Sequence, residues 1–214
     1  MIRITISVVC FNSSLEQLDA LIASIFQSVR YMRVRLKIDA IPFYLIDNSE
    51  SETLSLKDLN KFISKFDELL VRPKFVVGHG NIGYGSAHNL VLNEIESDFH
   101  LMLNPDIILE EDSLYLGIEL LSSDTELKML GPSACNYQGE KQHLCKRYPT
   151  IITLLLRGFA PNKFRSLFAK QLDHYEMRDL PENRVTKNIP LLSGCFMLVD
   201  TPTLQKVGGF DPGY

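Results

Sequence analysis

The sequence predicts an α/β fold, a parallel sheet with helices on both faces, and three observations predict it. Apolar runs of strand spacing alternate with runs of helical spacing as far as Leu130, the pattern that βαβ units produce. Two of those strands end in a carboxylate, at Asp47 and at Asp106. The glycine-rich segment Gly78-His79-Gly80-Asn81-Ile82-Gly83 joins a strand to a helix. Ligands of open α/β sheets collect outside the carboxyl ends of the strands, so acids and glycines delivered there mark a ligand site.

Taken in order, Arg3 to Val9 is β-branched and alternating, which reads as a first strand rather than a signal peptide. Leu15, Leu18, Leu21, Ile22, Ile25, Phe26 and Val29 recur at helical spacing over Ser14 to Tyr31, with Ser13 or Ser14 as the cap. Leu36 to Ile46 reads as a second strand, Leu56 to Leu70 as a helix and Lys74 to Val77 as a short strand. A helix from Tyr84 to Ile95, the strand ending at Asp106, a helix from Glu111 to Leu121 and a strand from Lys128 to Leu130 continue the pattern. From Ser133 to Asn188 turn signals and mixed charge replace it, as in an insertion or subdomain. A strand from Ile189 to Asp200, a short helix from Pro202 to Lys206 and a Gly208-Gly209-Phe210-Asp211 turn close the chain.

With 214 residues, 45% apolar and 22% charged, the chain fits a single globular domain with a real core. A net charge of −4 argues against a generic nucleic-acid binder. Residues 141–170, however, hold seven basic side chains and no acidic one. Cys10, Cys135, Cys145 and Cys195 lie far apart, without a Cys-x-x-Cys pair, as in a reduced, cytoplasmic protein. The most apolar stretch, Ile151 to Leu156, is far shorter than the ~18 residues that span a bilayer.

Gly78 to Gly83 matches G-x-G-x-x-G, which opens a rival reading as an NAD-dependent oxidoreductase. The fingerprint normally opens the first βαβ unit, whereas here two strand and helix pairs precede it. Asp47 suits a cap for its own turn, Asp106 a cap for the next helix, and Asn81 and Asn89 a turn residue and an ordinary helical side chain. Gly194 and Cys195 suit close strand packing, and His88 suits a core histidine.

Five segments together carry a more specific signal. They are Val8-Val9-Cys10-Phe11-Asn12, Ile46-Asp47-Asn48-Ser49, Asn81 to Asn89, Leu103-Asn104-Pro105-Asp106, and Leu192 to Val199 followed by Gly208-Gly209-Phe210-Asp211. In this order they resemble the family 2 glycosyltransferases, most closely the rhamnosyltransferase-like branch of bacterial surface polysaccharide synthesis, to which Lys146-Arg147-Tyr148-Pro149 is also similar. The resemblance implies a GT-A fold with a Rossmann-like mixed sheet, residues 1–132 forming the nucleotide-binding half and 133–214 the acceptor-side half. It implies a dTDP-, UDP- or GDP-sugar donor, a glycan or lipid-linked glycan acceptor, and Mg²⁺ or Mn²⁺ on the diphosphate. Phe11, Asn12, Asp47, Asn81, Gly83, Tyr84 and Asn89 would border the donor, Asp106 would ligate the metal, and Arg147, Gly194 and Cys195 would lie on the acceptor side. A hard cation accepts this arrangement, since Mg²⁺ often uses one or two protein carboxylates plus phosphates.

The resemblance also implies inverting transfer, with a carboxylate base shortly after the Gly-Gly-Phe-Asp turn. The sequence ends at Tyr214, so the expectation is a chain that lacks this base, either as part of a longer protein or as an inactive donor-binding module. Phe159, Phe164, Leu167 and Phe168 interleave with Arg157, Lys163, Arg165 and Lys170, a composition suited to peripheral membrane contact, although Pro161 interrupts any one helix through them.

Overall fold

A computed structural model describes residues 1–50, 54, 66–159, 168–181 and 184–213. It forms two compact units, Met1–Leu130 with Gly194–Tyr214, and Gly131–Ser193.

The first unit begins with β1 (Ile4–Cys10), buried along its whole length. Helix α1 (Leu15–Arg35) is set by a capping box. Ser14 Oγ accepts from the Gln17 N–H, and Gln17 Oε1 accepts from the Ser14 N–H, both at 3.2 Å; such a cap is worth about 1 kcal/mol. Leu18, Leu21, Ile22, Ile25, Val29 and Met32 are fully buried on one stripe of α1, each contributing about 1.5–3 kcal/mol. The helix outlasts the expected Tyr31, so β2 (Ile41–Asp47) starts later than the expected Leu36. The Arg33 guanidinium donates to the carbonyls of Ile38 and Asp39, engaging the linking residues outside the strand.

The helix expected over residues 56–70 lies mostly outside the described residues, which show a 3₁₀ turn at Asp67–Leu69 leading into β3 (Val71–Val76). Helix α2 (Tyr84–Asn89) is shorter than the expected Tyr84 to Ile95, because the chain tightens there: Leu90 N–H reaches Ala87 O and Val91 N–H reaches His88 O. A 3₁₀ turn at Leu92–Glu94 follows. Strand β4 (Phe99–Leu103), helix α3 (Ser113–Ser123) and strand β5 (Met129–Leu130) complete this half.

The second unit holds two short antiparallel ribbons and two helices. Strand β6 (Ala134–Cys135) pairs with β7 (Lys141–Gln142) through a turn in which Asn136 Oδ1 accepts from the Gln138 and Glu140 N–H groups. Strand β8 (Cys145–Lys146) precedes α4 (Ile151–Phe159) and α5 (Ala169–Tyr175), and pairs with β9 (Leu191–Leu192). Helix α4 turns Ile151, Ile152, Leu154 and Leu155 outward while Thr153 and Leu156 are buried. Phe164, Leu167, Lys163, Arg165 and Pro161 lie outside the described residues. Among the described residues no helix is long and apolar enough to cross a membrane.

The chain returns to the first unit as β10 (Phe196–Asp200) and α6 (Thr201–Val207). The single strand expected from Ile189 to Asp200 is therefore two strands in two units. The Ser193 N–H bonds to Leu144 O in one, and Cys195 O accepts from the Asn104 N–H in the other, which fixes the break between them. Asp200 caps α6 by accepting from the Thr203 N–H, and Gly208, at φ +82°, ends it in the left-handed conformation that glycine adopts readily.

The main sheet runs β3-β2-β1-β4-β10-β5, with β3, β2, β1 and β4 parallel and β10 antiparallel to both neighbours. One face packs Ile4, Ile6, Val8 and Cys10 under α1 and α3; the other packs Val9, Tyr44 and Ile46 against Ala87, Val91 and Ile95. The register sets Cys10 beside Asp47 and Val8 beside Leu103, so β1, β2 and β4 end close to one level.

Candidate functional site

Those strand ends open into a cleft of about 440 Å³, lined by Val9, Phe11, Asn12, Ser13, Gln17, Asn48, Asn81, Tyr84, Asn104, Pro105 and Asp106. Five residues singled out by sequence, Phe11, Asn12, Asn81, Tyr84 and Asp106, thus meet in one place although they come from three separate segments of the chain. Phe11 leaves half its surface exposed there, an aromatic face of the kind on which flat rings stack.

The walls are tied together by short polar contacts. Asn12 adopts φ +49°, tolerable for asparagine, and its N–H donates to Ser49 Oγ at 2.9 Å. The Asn48 N–H donates to Cys10 O at 2.8 Å, joining the ends of β1 and β2. Asp47 does not line the cleft. It is 2% exposed, and its carboxylate accepts from the N–H groups of Ser49 at 3.1 Å and Leu54 at 3.4 Å. This is the capping role that Asp-Asn-Ser favours, and Asn48 occupies the wall in its place. Asn48, Ser13, Gln17 and Asn104 are lining residues that sequence reasoning did not assign; the polar residue directly after an apolar strand was the available signal for Asn48 and Asn104.

Asn81 Oδ1 accepts from Asn48 Nδ2 and from the Gly83 N–H, each at 3.1 Å, and the Ile82 N–H donates to Asn48 Oδ1. Gly83 does not line the cleft; with φ +85° it supplies the backbone turn into α2. Tyr84 then reaches inward, and its hydroxyl donates to Gly194 O at 2.5 Å. Burial, and next the neighbouring Cys195, pushes the Tyr84 hydroxyl above its ordinary pKa. Gly194 has little room for more, since an added Cβ would sit 3.1 Å from Tyr84 Cε1. Gly194 and Cys195 are therefore held beside the cleft, one by Tyr84 and the other by Asn104.

Asn89 and Arg147 are committed elsewhere. Asn89 Nδ2 donates to Phe210 O at 2.7 Å, and Asn89 Oδ1 accepts from the Phe210 N–H at 2.9 Å, so this amide clamps the Gly-Gly-Phe-Asp turn instead of lining the cleft. Within the second unit, the Arg147 guanidinium makes a bidentate pair with Asp179 at 2.8 and 2.7 Å and also donates to His174 O. That pairing holds the Asp179 carboxyl down at about 2. Arg147 thereby braces the β8–α5 region rather than presenting a free cation.

His88 is a core residue. Its Nδ1 and His100 Nε2 meet Ser7 Oγ at 2.8 and 2.9 Å. Burial lowers both imidazoles to about 3, and for His88 the neighbouring His100 adds to the effect.

Asp106 is exposed at the cleft mouth, just past Pro105, and among the described residues no hydrogen bond or ion pair holds its carboxylate. Among them, too, there is no group of three or more His, Cys, Asp or Glu side chains that could enclose an ion. A lone hard oxygen donor in a roomy cleft fits a cation that takes its remaining ligands from water and phosphate, as Mg²⁺ and Mn²⁺ do.

The glycine loop departs from the dinucleotide pattern. It follows β3, an edge strand, whereas the dinucleotide fingerprint follows the first, central strand.

No protein-family model matches the sequence, and no curated protein does. Among solved structures, a mannosyltransferase from Pyrobaculum calidifontis in complex with GDP-Man and Mn²⁺ superposes with a TM-score of 0.61 at 15% identity, over 99% of this chain and 48% of that one. The fold is of GT-A type. TarS of S. aureus, residues 1–349, gives 0.56 at 13% identity over 98% of this chain and 50% of its own, and its complex with UDP gives 0.56 at 14% identity. The chain thus spans about half the length of the GT-A structures it resembles. At these identities the likeness extends to the fold alone.

Proposed function

We propose that this chain is a glycosyltransferase that moves a sugar from a nucleoside-diphosphate donor to a glycan or lipid-linked glycan. The observation that carries the reading is the convergence of Phe11, Asn12, Asn81, Tyr84 and Asp106 on one cleft at the carboxyl ends of β1, β2 and β4. Phe11 offers a stacking face to the base, and the amides of Asn12 and Asn81 offer polar groups to nucleoside and sugar. Asp106 is the residue that would hold Mg²⁺ or Mn²⁺; when bound, such an ion offsets the negative charge that develops on a departing diphosphate. The motif resemblance favours dTDP-rhamnose as donor, surface polysaccharide or lipopolysaccharide as the product, and inversion at the anomeric carbon.

In inverting transfer an acceptor hydroxyl attacks the anomeric carbon opposite the diphosphate. The bond to the diphosphate oxygen breaks, and the hydroxyl proton passes to a base within about 3 Å. Asp106 is the only carboxylate among the described residues lining the cleft, and its proposed task is on the leaving-group side. That observation favours, as a second reading, a module that binds donor without turning it over. The exposed apolar side chains of α4 in the basic segment 141–170 support peripheral contact with an anionic membrane on the cytoplasmic side, where lipid-linked acceptors would be met.

Release of nucleoside diphosphate from dTDP-rhamnose, UDP- or GDP-sugars in the presence of acceptor tests the enzyme reading. Donor binding without release supports the second. NAD(H) stabilising the protein more than dTDP or UDP in a thermal-shift panel would overturn both.

A further inference from the structure

Asn48 and Asn81 form an amide pair whose polarity is dictated by the backbone. The Ile82 N–H donates to Asn48 Oδ1 at 3.1 Å, which leaves Asn48 Nδ2 to donate to Asn81 Oδ1 at 3.1 Å. The Gly83 N–H donates to that same Asn81 oxygen, also at 3.1 Å. A backbone N–H cannot accept, so turning either amide round would set donor against donor. The pair is also anchored: Asn48 is 3% exposed, and its own N–H is held by Cys10 O. Asn81 Oδ1 is thus occupied twice, and Nδ2 is the atom left over, on an exposed side chain lining the cleft. Among the described residues no protein group meets Nδ2.

We infer that Asn48 is a positioning residue that locks Asn81 as a donor-only group, and that Asn81 thereby selects an oxygen acceptor on the ligand. The inference rests on the nucleotide reading given above. A nucleoside diphosphate such as UDP carries such acceptors at the keto oxygens of the base and at the oxygens of the phosphates. An amide free to rotate would serve donors and acceptors alike; one locked through Ile82 and Gly83 discriminates between them.

The experiment is calorimetric titration of UDP, CDP and uridine, in Mg²⁺ buffer, into the wild-type chain, Asn81→Leu, Asn48→Asp and the double variant. UDP and CDP differ at one edge of the base, keto in the first and amino in the second. Asn81→Leu is expected to weaken UDP about tenfold, the effect of losing one hydrogen bond to a ligand. Uracil O4 as the target makes uridine fall with UDP while CDP is unchanged, whereas O2, which both bases share, makes all three fall together. A phosphate oxygen makes UDP and CDP fall together while uridine is unchanged. Asn48→Asp keeps an acceptor for the Ile82 N–H, so the loop retains that contact, but it removes the donor that holds Asn81. It is expected to weaken the same ligands by a similar factor, and to add nothing in the Asn81→Leu background. A full Asn48→Asp penalty that persists in that background would show simple charge repulsion and overturn the positioning role. UDP binding unaffected by Asn81→Leu would overturn the inference alone. Folded wild-type protein that binds none of the three ligands, nor dTDP or GDP, would overturn the nucleotide reading beneath it.

Discussion

Replacing Tyr84 by phenylalanine removes one oxygen and leaves the ring, so it isolates the bond that ties the start of α2 to Gly194. That hydroxyl donates to Gly194 O at 2.5 Å, while the ring meets His88 edge-on at 4.5 Å and Phe210 at 5.9 Å. The lost bond is worth about 0.5–1.5 kcal/mol net, and a half-buried carbonyl left without its partner raises the total to about 1–3 kcal/mol. For a chain of this size the melting temperature should fall by about 2–10 °C. Urea unfolding gives the free energy directly. The same pair carries a pH signature. The folded hydroxyl has its pKa raised by burial, so above about pH 10 the unfolded chain ionises at Tyr84 while the folded chain holds its proton. Wild-type stability therefore declines with rising pH there relative to Tyr84→Phe, and the gap between the two narrows. A difference below about 0.5 kcal/mol at neutral pH, or a gap that widens above pH 10, would refute the argument.

Other outcomes follow from the same contacts. Asn89→Asp keeps the acceptor for the Phe210 N–H but sets an oxygen against Phe210 O, and should cost about 2–3 kcal/mol in urea unfolding; an unchanged midpoint would remove the clamp. Gly85→Ala places a methyl group 2.8 Å from Phe210 Cβ, and should lower stability by about 1–3 kcal/mol; a variant as stable as wild type would show that Phe210 yields freely. His88 and His100 have folded pKa values lowered to about 3, so they bind protons more readily when unfolded. Their contribution is complete above about pH 7 and is lost as pH falls from the unfolded value near 6.5, at up to about 3 kcal/mol per pH unit for two protons. Denaturation curves that coincide at pH 7 and pH 5 would contradict this.

The first unit was legible where the pattern is local. The spacing from Leu18 to Val29, with Ser14 and Gln17 ahead of it, is enough to define α1, and the β-branched run through Val9 defines β1. The end of α1 was not legible, because Arg33 and Arg35 continue a helix as readily as they end one, and the carbonyls that engage Arg33 come from the following link. The split between β9 and β10 depends on partners far away, Leu144 for one and Asn104 for the other. The residues lining the cleft followed the same division. Phe11, Asn12, Asn81, Tyr84 and Asp106 stand at strand ends and helix starts, which sequence marks well. Asn89 and Arg147 carry the right chemistry for a site but are consumed by Phe210 and Asp179, contacts that no spacing rule foretells.

The central claim is that the cleft takes a nucleoside diphosphate through a cation held at Asp106. Calorimetric titration of UDP, GDP and dTDP with and without Mn²⁺, into the wild-type chain and Asp106→Ala, tests it most directly. The account predicts Mn²⁺-dependent binding to wild type that Asp106→Ala loses, with its melting temperature unchanged because Asp106 supports no other group among the described residues. Equal, Mn²⁺-enhanced affinity in both proteins would contradict it.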